Sequence, residues 1–378
     1  MFDTSLRDSQ STTVQPLLPE QFDFDQYGDY SKACNARVDQ FLQADSGVLV
    51  YRRFRVAEVY GYECSDRELS LRLQLGALHA SMQYPADIPN FLEPWFGLGI
   101  GASAFGAAYV WNDGQAPAVI PPFEGLEDAV AYSPVAIEST TIGKEQLAYI
   151  EYFLDQTKGK LPMSLSDVQS PLNIISEIMP ATSLFVAMLD DPELYGELSA
   201  RAGKLMKAYL LKQKALIGDA LVYPGHGFAS SNKLRGLGAS DDTSIMISNA
   251  LFDEMETPVL ADMCEPFGGT SYHSCGNWAG KIPSVLKIPN LVSADGAFTS
   301  ETDPAPNEPS VFSEAFAGTG KILNARAVGN VERVVKTVKQ LWRPGMKLII
   351  CTYCKTPEEQ QEAYDRIHEI CKSNTEGH

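Results

Sequence analysis

The stretch "VFSEAFAGTGKILNARAVGNVERVVKTVKQLWRPGMKLIICTYCKTPEEQQEAYDRIHEICK" (residues 311–372) decides the fold. It reads as helix, strand, helix, strand, helix. "KILNARAV" and "KLIICTYC" are the strands; "VFSEAFAGTG", "VERVVKTVKQLW" and "TPEEQQEAYDRIHEICK" are the helices. Strands alternating with helices over short connections give βαβ units and a parallel sheet.

The same rhythm runs back to about residue 143. "NLVSADG", "GTSYHSC" (269–275), "DALVYPG" and "LPMSLSD" (161–167) read as strands, and "SIMIS" (244–248) as extended. Residues 143–158, 170–188, 190–218 and 249–264 read as helices. That makes about six strands, with earlier extended pieces to supply the rest. The fold class expected is α/β, a (β/α)8 TIM barrel with an N-terminal extension. Residues 1–20 read as a flexible leader, 21–94 as a helical and extended segment packing on the barrel, and 95–378 as the barrel. Within 21–94, residues 29–47 and 66–82 have helical spacing and "GVLVYRRFR" (47–55) is extended. "AAYVWNDGQAPAVIPP" suits a β-ribbon turning at Asn112-Asp113-Gly114.

Composition bounds the function. The 378-residue chain is 44% hydrophobic and 21% charged, which suits a globular protein able to bury a large core. Its net charge of −18, with no basic cluster, argues against nucleic acid and anionic membranes. No apolar run is long enough to span a bilayer, and the polar start has no signal region. Seven cysteines in so long a chain do not form a disulfide framework. A reducing cytoplasm with metal or thiol chemistry is the expected setting. The glycines of "PWFGLGIGASAFGA" do not match a dinucleotide fingerprint and suit tight turns instead.

The chemistry gathers at "SYHSCGNWAG" (271–280). His273 and Cys275 stand two apart at a strand end, so both side chains project to one side. In a parallel barrel that end is the functional mouth. Imidazole nitrogen and thiolate sulfur together favour zinc. The final strand, "KLIICTYCKTP", brings Cys351 and Cys354 toward the same mouth. Cys354 stands at the strand tip, while Cys351 lies in an apolar run and is equally readable as core. "CTYC" has redox-pair spacing, but the proline-containing turn after it speaks against a thioredoxin-like role.

With these residues the chain resembles the uroporphyrinogen decarboxylase superfamily, and within it the cobalamin-dependent methyltransferase branch. "YHSCGN" matches that branch's H-x-C-G, and "LIICTYCKTPEEQ" its late Cys. Residues 102–129, "SDVQSPLNIISEIMP" (166–180) and "ASDDTSIMISNALFDEMETP" (239–258) resemble further segments in the right order. The resemblance covers roughly residues 95–372. It implies a barrel whose zinc is held by His273, Cys275 and a late Cys. Setting "TYCKTP" against the family's G-C-G-x-x-x-x-T-P favours Cys354. It implies methyl transfer between a corrinoid (cobalamin), carried on a corrinoid-binding partner protein, and a small methyl donor or acceptor such as a thiol or folate. Cofactors implied are zinc and the corrinoid.

Further residues are candidates for the chemistry or for shaping the pocket. His226 in "YPGHGF" follows an expected strand, or is simply a loop histidine. Asp242, beside Asp241, lines the mouth or caps a turn. Asn277 and Trp278 flank the ligands and shape the pocket. The R-Q-A-G-R-type motif of porphyrinogen decarboxylation is absent from "YRRFRVAEVYGYE". A metal-free tetrapyrrole decarboxylase, or a non-catalytic barrel with structural zinc, is the alternative.

Overall fold

The computed structural model describes residues 10–111 and 116–373. Its strands are β1 Gly47–Arg52, β2 Ala108–Val110, β3 Ala118–Ile120, β4 Leu237–Ser240, β5 Thr270–His273, β6 Leu291–Ala297, β7 Ile322–Arg326 and β8 Lys347–Thr352. Six of them form one sheet in the order β1-β8-β7-β6-β5-β4, with every neighbouring pair parallel. The fold is therefore α/β. β2 and β3 pair antiparallel as the expected ribbon, whose turn residues Asn112-Asp113-Gly114 lie outside the described residues.

The main helices are α1 Phe24–Gln43, α2 Arg67–Ser81, α3 Thr141–Thr157, α4 Pro171–Ile178, α5 Ala181–Asp190, α6 Pro192–Ile217, α7 Thr257–Cys264, α8 Pro309–Phe316, α9 Val331–Leu341 and α10 Pro357–Ser373. In α9 the reason for helix is plain. Asn330 caps it by accepting from the Arg333 backbone N–H at 3.0 Å. Val331, Val334, Val335, Val338 and Leu341 then form one buried stripe. Burying each such side chain contributes roughly 1.5–3 kcal/mol. A charge at Val338, which is fully buried, would break that stripe.

The strands alternate between two cores, as a period of two requires. Leu348 and Ile350 of β8 join the large helix-covered core, with Val50, Leu323 and Ala325. Ile349 and Cys351 join a second, smaller core with Leu49, Tyr51, Ile88 and Val222. Parallel strands covered on both faces are apolar throughout, which is why they read as continuous runs.

The structure departs from eight regular strands. Among the described residues, pairing beyond the sheet's two edges continues as single bridges, among them Leu92 to Met163, Met163 to Leu221 and Gln169 to Ser240, all parallel. Asp87 N–H also donates to the Val50 carbonyl at 2.7 Å, beside β1. Hence 161–167 and 219–225, expected as strands, carry isolated bridges instead. Pro162 and Pro224 each remove a ladder donor there. "SIMIS" is extended only at Ile247 and Ser248, since Asp242–Met246 is a 3-10 turn. The helical run at 170–188 is two helices, α4 and α5, broken at Pro180. Residues 10–18, expected as part of a flexible leader, run along the body. Thr12 N–H donates to the Arg55 carbonyl at 2.7 Å and Leu17 N–H to that of Arg72 at 2.9 Å. Among the described residues, no helix is long and apolar enough to cross a membrane.

Candidate metal centre

His273 is the last residue of β5. Gly268 and Gly269, with φ of +84° and +118°, lead the chain into that strand. A Cβ on Gly269 would stand 2.3 Å from the Asn290 carbonyl oxygen, so the approach to β6 requires glycine there. The parallel register then sets His273 beside Asp295 of β6, and Asp295 beside Asn324 of β7. His273 Nδ1 lies 2.8 Å from Asp295 Oδ2, and Asn324 Nδ2 donates to Asp295 Oδ1. Arg326 Nε stands 2.9 Å from Asp295 Oδ2. Burial works against the Asp295 charge. Arg326, His273 and Asn324 overcome it and hold the carboxyl at about 2. An ionised Asp295 fixes the proton of His273 on Nδ1 and leaves Nε2 as the ligand atom.

Nε2 is 3.5 Å from Cys275 Sγ and 3.8 Å from Asp242 Oδ1. The three candidate ligand atoms all lie within 4.8 Å of one another. Asp242 Oδ1 also accepts the Cys275 backbone N–H at 2.6 Å, which ties the loop after β4 to the loop after β5. A tetrahedral zinc with ordinary Zn–N and Zn–S bonds sets its nitrogen and sulfur ligands about 3.5 Å apart. One nitrogen, one sulfur and one carboxylate oxygen are ligands zinc accepts, so the donor set fits that ion in chemistry, and the His273–Cys275 pair fits it in spacing. The exposed Cys275 has its thiol pushed up to about 12 by local desolvation and by Asp242 beside it, and a cation held there would favour the thiolate.

Cys354 is not part of this group. Its thiol belongs to the helix-covered core, and its carbonyl accepts from Arg52 Nε at 2.7 Å. Burial pushes that thiol up to about 11. Cys351, within β8, packs in the smaller core, while Cys354, two residues past the strand's end, packs in the helix-covered one. Cys351 is held in register with Arg326, nearer the centre. Spacing carried this signal. Four residues separate Cys351 from Thr356-Pro357 and one separates Cys354 from it, against five in the pattern used for alignment.

His226 stands across from the pair, its ring centroid 4.8 Å from that of His273. Its φ of +45° lies between Gly225 at +78° and Gly227 at +73°, a conformation that costs a non-glycine roughly 1–3 kcal/mol. Gly238 of β4 makes room for this loop: a Cβ there would meet the Gly225 and Pro224 carbonyl oxygens at 3.0 Å and the His226 Cβ at 3.2 Å. Nδ1 of His226 is 3.1 Å from Asp167 Oδ1. Burial disfavours the His226 charge, but Asp167 outweighs it and the pKa rises. Asp167 is steadied in turn by Trp95 Nε1 at 3.1 Å and Gln169 Nε2 at 2.6 Å.

Asn277 is not drawn into the centre. It accepts the Ala279 N–H at 3.0 Å and donates to the Pro306 carbonyl at 3.4 Å, as a turn residue does. Trp278 is buried, its Nε1 donating to the Asp295 carbonyl at 3.0 Å. Asp295, Asp167 and Arg326 escaped the sequence reading. The available signal was a charged residue inside an apolar strand, as in "NLVSADG" and "KILNARAV".

His226, His273, Cys275, Asp167, Asp295 and Arg326 all face one cavity of about 770 Å³, which Arg53 and Arg55 line as well. A cleft of similar size between α1 and α10 contains Asp87, whose oxygens take Tyr364 OH at 2.7 Å and His368 Nε2 at 2.9 Å, contacts that join elements of the fold. The cluster of titratable side chains around His273 therefore faces the first cavity.

No family model matches the chain, and no curated protein matches it. Among solved structures, the chain is similar to a methyltransferase from Methanosarcina mazei. The TM-score is 0.60 at 14% sequence identity, over 89% of this chain and 98% of that one. The α/β fold described above is thus shared with a known structure along nearly its whole length.

Proposed function

We propose that this chain is a zinc-dependent methyltransferase working with a corrinoid on a partner protein, with a small thiol as acceptor. The observation that carries the reading is the grouping of Asp242, His273 and Cys275, with His273 and Cys275 on the wall of a cavity. The likeness to a methyltransferase structure supports it. The bridges from Val50 round to Ser240 support a (β/α)8 ring, with the centre in its mouth.

Asp242, His273 and Cys275 would hold the zinc. Bound there, zinc supplies the charge that keeps a coordinated thiol deprotonated at neutral pH. Asp295 holds His273 in the ligating tautomer, and Asn324 orients Asp295. His226, with Asp167 behind it, is placed to take the thiol proton at Nε2. A corrinoid carried on the partner would supply the methyl group; its transfer to sulfur would break Co–C and S–H, form S–C, leave the electron pair on cobalt and put the thiol proton on His226.

The test is incubation of zinc-loaded protein with methylcobalamin and 2-mercaptoethanol. Appearance of the methyl thioether with cob(I)alamin supports the reading; unchanged methylcobalamin after prolonged incubation contradicts it. One observation favours a second reading, a metal-free decarboxylase: Arg53, Arg55 and Arg326 on the cavity wall suit a polycarboxylate. That reading requires turnover of a tetrapyrrole that survives chelation.

A further inference from the structure

β5 ends at His273, so the sheet itself places that residue. Cys275 lies two residues further on and is exposed, and no strand register places it. Its position depends on the backbone of residues 275–278, which is held from two sides. On one side, the loop after β4 gives Asp242, which accepts the Cys275 N–H at 2.6 Å. On the other, the loop from β6 to α8 gives two residues. Asp303 Oδ2 accepts the Gly276 N–H at 2.8 Å. Asn307 Oδ1 accepts the Trp278 N–H at 3.0 Å, and Nδ2 donates to the Gly276 carbonyl at 3.2 Å.

The residue after the candidate ligand thus has both its backbone polar groups held by one loop. Gly276 needs that hold, because it turns the chain with a φ of +72° and has no side chain to pack. The loop is itself fixed. Asn307 is buried, and its N–H and Nδ2 both donate to the Ala297 carbonyl at the end of β6, at 2.8 and 3.1 Å. Asp303 Oδ1 accepts the Ala305 N–H at 2.9 Å, which stiffens its turn. An amide at 307 both donates and accepts, which neither a carboxylate nor an apolar side chain can do.

We propose that Asn307 and Asp303 are positioning residues that set the Cys275 sulfur at its distance from His273 Nε2, so that the two meet one metal ion. This rests on the metal reading above. His273 is then placed by a strand and Cys275 by a clamp, and the clamp acts through the backbone rather than on the sulfur. Groups that orient a metal ligand in this way typically carry about 10- to 100-fold in metal affinity.

Cobalt(II) in place of zinc reads the clamp directly, since a Cys275 thiolate bound to cobalt gives a sulfur-to-cobalt charge-transfer absorption. Wild type, Asn307→Ala, Asp303→Ala and Asp303→Asn are titrated with cobalt, with Cys275→Ala as the blank for that band. Cobalt affinity is expected to fall about tenfold or more in Asn307→Ala and Asp303→Ala, with a weaker band per bound cobalt. Asp303→Asn keeps an acceptor for the Gly276 N–H and loses the charge, so it should stay within a few-fold of wild type. Equal losses in the two Asp303 variants would assign the effect to charge and overturn the positioning role of Asp303. A merely structural clamp lowers the melting temperature but leaves cobalt affinity and the band unchanged in the folded protein, which overturns the proposal while the metal reading stands. If Asn307→Ala fails to fold, the two variants of the half-buried Asp303 decide. Wild type that takes up no cobalt overturns the metal reading, and this proposal with it.

Discussion

Asp295 holds His273 by its Nδ1 at 2.8 Å, and both are buried, side by side in adjacent parallel strands. The contact decides which imidazole nitrogen is free to bind a metal. Asp295→Asn keeps the shape but loses the charge that fixes the tautomer. Zinc affinity is expected to fall about 10- to 100-fold, read by competition with a chromophoric chelator. Unchanged affinity would mean that His273 does not bind the metal through Nε2.

Asp242 and Cys354 should behave oppositely. Asp242→Ala removes a carboxylate 3.8 Å from His273 Nε2 and is expected to weaken zinc binding at least tenfold. Cys354→Ala truncates a side chain in the helix-covered core. It is expected to leave one zinc per chain and cost about 1 kcal/mol of stability, read by denaturant titration. Loss of zinc from Cys354→Ala would restore it as a ligand.

Gly238→Ala probes the loop that carries His226. The added methyl group meets two carbonyl oxygens at 3.0 Å, and neither belongs to a flexible side chain. A loss of about 1–3 kcal/mol is expected, with a fall in methyl transfer at unchanged zinc content. Thermal melts and metal analysis on one preparation separate the two effects.

Glu256 gives a pH dependence. It is fully buried, and Tyr195 OH donates to it. Burial, the largest influence, and the nearby Asp241 raise its pKa from an ordinary 4.5 to about 8. The folded state therefore holds a proton that the unfolded state has released between those values. This contribution to stability is whole below about 4.5 and is lost as pH rises through about 8. Glu256→Gln mimics the protonated acid. It should match wild type at pH ~5 and exceed it by about 1–3 kcal/mol at pH ~9. An equal difference at both pH values would show that Glu256 is ionised throughout.

The parallel sheet was legible because its strands are covered on both faces. "KILNARAV" and "KLIICTYC" carry their signal in composition alone, and β7 and β8 lie where they read. The segments at 161–167 and 219–225 read just as apolar, but their prolines withhold ladder donors and only single bridges form. His273 and Cys275 were legible because neighbours in sequence share one strand end. Asp295 was not, since its meeting with His273 depends on the register between β5 and β6, which a local pattern does not encode. Cys351 lies in β8 and Cys354 two residues past its end, in different cores, and neither joins the Asp242, His273 and Cys275 group.

The account stands most directly on the metal content of the purified protein, measured by mass spectrometry for wild type and Cys275→Ala. It predicts one zinc per wild-type chain, retained through dialysis, and none in Cys275→Ala at the same folded fraction. Wild type without stoichiometric metal, or Cys275→Ala with a full complement, would contradict it.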